Sequence, residues 1–137
     1  MKNYGALHDG SFEGLWLEGK SAHIFLATDE HERHVVVARE VAALKADDVR
    51  QGNIIFEVVE RSAAEVSPSD LDVFLYESDD PTQSKTLWEK VQAEGLALLE
   101  ISPSYGATCI VLARSFDLLG RREWVKHYIS GAISHGR

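Results

Sequence analysis

Apolar and polar positions alternate with a period of two through much of the first half of the chain, which predicts β-structure there. Phe12 to Glu18 and Ala22 to Thr28 are two such runs, joined by Glu18-Gly19-Lys20-Ser21. A two-residue loop with glycine first suits a type II′ hairpin, because glycine adopts positive φ without steric cost. That loop sets the register: Leu17 faces Ala22, Leu15 faces Ile24 and Trp16 faces His23. Side chains alternate across a strand, so Leu15, Leu17, Ile24 and Leu26 share one face while Trp16, His23 and Phe25 share the other.

After the polar turn Asp29 to Arg33, the β-branched run His34 to Ala38 predicts a third strand. Val41 to Leu44 is apolar but too short to assign, and Asp47 to Asn53 reads as a turn. Ile54-Ile55-Phe56-Glu57-Val58-Val59 is apolar on both faces except at Glu57, which predicts a central strand covered on at least part of both sides, with a helix as the second cover.

The second half supplies helical signals. Ser67-Pro68-Ser69-Asp70 has a serine cap, an early proline and an acid in the first turn, with Leu71, Phe74 and Leu75 following at helical spacing. The stretch 67–78 is short and aromatic enough to be a strand instead. Asp80-Pro81-Thr82 opens a clearer helix, with Leu87, Trp88 and Val91 on one side and Gly95 at its C-terminal end. Leu96 to Ile101 and Thr108 to Ala113 form a second hairpin around Ser102 to Gly106. From Phe116 the chain is expected to form a short helix ending at Gly120 with a loose end, or one broken helix. Residues 121–137 are thus a loose tail or a terminal helix, in which Trp124, Tyr128 and Ile129 make a partial apolar stripe.

Strands and helices do not alternate, so a doubly wound α/β fold is excluded. The expectation is a single α+β domain over 1–137: a mostly antiparallel sheet of five to seven strands, with one or two helices packed on one face. With 137 residues the chain can bury one self-sufficient core.

Charge narrows the choice of partner. Twenty-two acids against 14 Lys and Arg leave a net charge of −8, which disfavours nucleic acid. From Ser62 to Ser84 there are six acids (Glu65, Asp70, Asp72, Glu77, Asp79, Asp80) and no Lys or Arg. From Arg114 to Arg137 five basic residues face two acids. An acidic segment of this kind speeds association with a basic partner. A lone cysteine forbids an internal disulfide. The N-terminus lacks the apolar core of a secretory signal, and no apolar run approaches the roughly 20 residues that span a bilayer. A cytoplasmic protein without membrane contact is expected.

Candidate chemistry is sparse. His31 and His34, with Glu30 and Glu32, have zinc-ligand types, but a hairpin tip splays neighbouring side chains apart, and no metal is expected. Gly14-Leu15-Trp16-Leu17-Glu18-Gly19-Lys20-Ser21 matches the letters of a phosphate-binding loop. That mechanism needs a helix directly after the serine, whereas here a strand follows and bulky residues fill the loop. Cys109 lies in an apolar strand, the opposite of the electropositive setting that activates a thiol. His8-Asp9-Gly10 can transfer protons or ligate metal, yet reads better as a turn into the first strand. His23, beside Trp16, and Tyr105, in a hydroxyl-rich loop, complete a set of candidate ligand-binding residues with His8. No catalytic residue and no cofactor is assigned.

His8-Asp9-Gly10 before the first strand, Gly52-Asn53-Ile54-Ile55 before a buried one, and Ser104-Tyr105-Gly106-Ala107-Thr108 near the end together resemble small uncharacterised bacterial domains. Compact acidic immunity proteins of the antitoxin type are similar. The sparse chemistry and the segregated acidic segment lead to the expectation of a non-enzymatic domain acting by contact with a protein partner or with itself, through strand edges or the Trp124/Tyr128 tail. The rival expectation is a small-molecule-binding domain or enzyme whose pocket, between sheet and helix, holds His8, His23 and Tyr105.

Overall fold

The computed structural model describes residues 1–75 and 81–130. Seven antiparallel strands follow one another as β1 (Lys2–Asn3), β2 (Ser11–Glu18), β3 (Ser21–Ala27), β4 (Arg33–Asp47), β5 (Asn53–Arg61), β6 (Ala97–Tyr105) and β7 (Thr108–Gly120). Their order is β1-β5-β2-β3-β4-β7-β6, and β5 also pairs with β6. That last pairing turns the row into a ring of six strands, β2-β3-β4-β7-β6-β5, with β1 lying against the outer reach of β5. Closure satisfies the hydrogen bonds that edge strands would otherwise leave open.

The first hairpin has the register its loop demands: Leu17 faces Ala22, Trp16 faces His23 and Leu15 faces Ile24. Gly19 has φ 57°, as the turn requires. Ile24 and Leu26 point into the ring, where they meet Phe12, Val36, Ala38, Ile55, Val58, Leu99, Ile101, Cys109, Val111 and Phe116. The ring is therefore filled by its own side chains. Leu17, expected on this inner face, stands at the strand end and is largely exposed.

Two strands run longer than their apolar patterns suggest. β4 continues through the unassigned Val41–Leu44 to Asp47, and β7 continues through Phe116 to Gly120 instead of turning helical. Each extension supports the other, because His34 to Asp47 pairs with Gly120 to Thr108 along the whole length. The ladder slips between Val41 and Ala43, next to Glu40 at φ 53°. Such a bulge bends a strand. The first half of β4 pairs with β3 and β7, the second with β7.

A sheet closed on itself offers helices its outer wall, and they take two separate patches of it. The 3-10 turn Pro68–Phe74 and helix α1 (Pro81–Glu94) cover Leu98 and Leu112, using Val66, Leu71, Val91 and Leu96. Ser67 and Asp70 form a capping box at the start of the 3-10 turn, as the sequence signal suggests. Asp80 and the end of the 67–78 stretch lie outside the described residues. The second cover begins with α2 (Arg121–Trp124) and continues in π-helical form over Val125–Ser130. It seats Trp124 on Val35 and Val37. Among the described residues no helix is long and apolar enough to cross a membrane.

Candidate functional site

His23 stands at the centre of one covered patch. It is outward-facing on β3, with Trp16 opposite on β2 and Val37 opposite on β4. The Trp16 ring stacks on the imidazole at 4.7 Å, and Tyr128 and Trp124 meet it edge-on at 4.9 and 5.8 Å. The Trp124 indole N–H donates to His23 Nδ1 at 2.9 Å. At 1% exposure the imidazole is sealed. Burial pushes its pKa below the ordinary value; Arg39 acts in the same direction and Glu18 against it. Arg39 donates to the Tyr128 hydroxyl at 2.8 Å and is paired with Asp117. A shallow cavity of about 340 Å³ beside this cluster is lined by Arg39, Leu119, His127 and Tyr128.

The second place is defined by what does not cover it. Ile54 and Phe56, 44% and 51% exposed, stand on the outer side of β5. Tyr105, 52% exposed, is the cross-strand partner of Ile54. The His8 ring meets Phe56 edge-on at 5.7 Å, and its Nδ1–H donates to the Phe56 carbonyl. Asp9 follows at φ 63°, its backbone N–H held by the Ile55 carbonyl at 2.9 Å. His8 and Asp9 thus carry the chain from a 3-10 turn (Gly5–Leu7) into β2.

A strand covered on at least part of both faces was expected at 54–59, and Val59 is indeed buried. Ile55 and Val58 are buried inside the ring, but the outer side at Ile54 and Phe56 is open, because α1 covers β6 and β7 farther along the wall. The sequence lacks a signal for this, since an apolar run has the same letters whether its second face is covered or not.

The three candidate ligand residues do not share a cavity. His8 and Tyr105 both border β5, whereas His23 is on β3, across the ring from β6 and beneath the terminal helix. Arg39 and Asp117 escaped the sequence reading, because only the β4–β7 register brings them to the same patch. The partial stripe of Trp124, Tyr128 and Ile129 was the available signal for the cover.

The remaining motifs fall where strands and turns dictate. Gly14 to Ser21 forms the arm and turn of the first hairpin. His31 sits at φ 66° in the turn before β4. Among the described residues no group of three or more His, Cys, Asp or Glu is arranged to hold a metal ion. Cys109 is buried in the ring, and desolvation pushes its thiol up to about 12. Among the described residues, fold and site define a class: a filled antiparallel barrel with two helical covers and an exposed apolar wall at Ile54, Phe56 and Tyr105. No family model, curated protein or solved structure matches the chain.

Proposed function

We propose that this chain is a non-enzymatic interaction domain that binds a protein partner through the wall formed by Ile54, Phe56 and Tyr105. One observation carries the reading: among the described residues the chain's own helices cover two apolar patches of the outer wall, while Ile54, Phe56 and Tyr105 stay about half exposed. Large apolar side chains grouped on an open surface mark contact sites. Glu57 follows Phe56, Asp9 follows the His8 that packs on Phe56, and the chain carries net charge −8, so the fitting partner presents apolar groups flanked by basic ones. Inhibition of a basic protein, in the manner of a compact acidic immunity protein in the bacterial cytoplasm, is the specific form of this reading.

The test places a photo-cross-linking phenylalanine analogue at position 56, 105 or 122 in cells making the protein. Positions 56 and 105 should capture one and the same protein, with position 122 on the other cover capturing none of it. An adduct of twice the 15.2 kDa chain mass identifies a second copy as the partner. Identical products from all three positions, or no product from 56 and 105, overturns the proposal.

A further inference from the structure

The buried polar side chains among the described residues are His23, Thr28 and Asn53. Thr28 accepts from the Glu32 N–H, and Asn53 is bonded through both ends of its amide. His23 alone of the three changes charge near neutral pH.

Among the described residues its side chain has one hydrogen bond, from the Trp124 indole, and that bond dictates its state. An indole N–H can only donate, so the His23 Nδ1 that receives it carries a lone pair and the ring is neutral, with its proton on Nε2. A proton arriving at Nδ1 leaves two donors facing each other at 2.9 Å. The charged and titratable groups around the ring come from every element packed on it. Glu18 of β2 favours the cation. Arg39 of β4 opposes it, and is itself paired with Asp117 of β7. From the helix come Tyr128, whose hydroxyl is held by Arg39, and His127 beside it. Among the described residues no carboxylate hydrogen-bonds the imidazole to offset the lost indole bond.

The cover itself is weak in isolation. It is four α-helical residues followed by six in π-helical form, shorter than a helix that persists alone in water. Trp124, Val125, Tyr128 and Ile129 hold it to Phe25, Val35, Val37 and Leu119.

We propose that residues 121–130 are an acid-released cover: proton uptake at His23 Nδ1 expels Trp124 and frees the apolar face of Phe25, Val35 and Val37. The direction follows from linkage. The neutral ring is favoured while the helix is docked, so docking is strongest above about pH 6.5, where the exposed imidazole is also neutral. Below that it weakens by about tenfold per pH unit, until the pH passes the lowered value of the docked state.

The test is amide hydrogen exchange of 121–130, corrected for the intrinsic pH dependence of exchange, together with the Trp124 indole N–H resonance. Below about pH 6.5 the helix amides should lose protection by about tenfold per unit, while those of β6 and β7 keep theirs. His23→Asn presents a side-chain oxygen as the acceptor but takes no proton, so its helix should stay docked across the range. If that variant is undocked at neutral pH, Trp124→Phe provides the second reading. It removes the donor, so the docked ring's value moves back toward the ordinary histidine value and the pH span over which protection falls should narrow. Helix protection that is independent of pH in the unaltered chain overturns the proposal. So does a pH dependence that survives unchanged in both variants.

Discussion

A Cβ placed on Gly106 would lie 2.4 Å from the side-chain oxygen of Asn53. The two residues meet where the ring closes. Asn53 begins β5, and its side-chain oxygen accepts the N–H groups of Arg50 at 2.7 Å and Ala107 at 3.1 Å. Its amide nitrogen donates to the carbonyls of Arg50 at 2.6 Å and Phe12 at 3.3 Å. One side chain thus ties the β4–β5 loop, the start of β2 and the β6–β7 turn together. Gly106, at φ 86°, supplies both the backbone shape and the space.

Asn53→Ala leaves the Ala107 N–H buried without its acceptor, and should cost about 2 kcal/mol or more. Gly106→Ala should cost about as much, through its positive φ and the displaced amide. Chemical denaturation of each variant checks the size. The double variant should lose less than the sum of the two, since both act on one joint.

Gly10 makes a similar demand just before β2. A Cβ there would sit 2.1 Å from the backbone oxygen of Ala27, which cannot swing away as a side chain does. Gly10→Ala should destabilise the chain by about 3 kcal/mol, read as a lowered urea midpoint. Gly5→Ala, with nothing within 4 Å, is the control and should be nearly silent.

Cys109 makes stability fall in alkali. In the unfolded chain a thiol ionises near pH 8.5, whereas burial in the ring raises it to about 12. Above about pH 8.5 the unfolded state therefore binds fewer protons than the folded one, and stability drops as pH rises. Between about pH 8 and pH 10 the unaltered chain should lose stability that Cys109→Ala does not lose. Alkylation by iodoacetamide should follow global unfolding in the unaltered protein.

Trp88 links α1 to the turn it covers, its indole N–H donating to the Val66 carbonyl at 2.9 Å. Trp88→Phe keeps most of the apolar contact and loses that bond, a cost of about 1 kcal/mol. Thermal unfolding should show a midpoint lower by several degrees, with the Trp124 indole resonance unmoved because the two covers touch different patches.

The first hairpin was legible because its information is local. Gly19 and the two-residue loop determine the register, and the register determines the faces. Helix α1 was legible for the same kind of reason: Pro81, the Leu87/Trp88/Val91 face and Gly95 at φ 65° are all within one helix length. The extensions of β4 and β7 were not, because Val41–Leu44 and Phe116–Gly120 are strands only by virtue of each other. Neither segment carries enough alternation to declare itself, and the pairing spans a long loop of intervening chain.

Of the candidate site, His23 beside Trp16 could be read from the hairpin register, while the indole bond to its Nδ1 joins residues 101 positions apart. Likewise, Ile54 and Phe56 are visibly apolar in the sequence, but their exposure depends on where α1 comes to rest. By itself the sequence determined turns, capping, alternation and a thiol buried in a strand, since these depend on neighbours within a few residues. Tertiary structure decided the closure of the ring, the patches each helix covers and the wall left open. Those outcomes rest on contacts between distant segments, and no local pattern encodes which of several apolar faces another segment will reach.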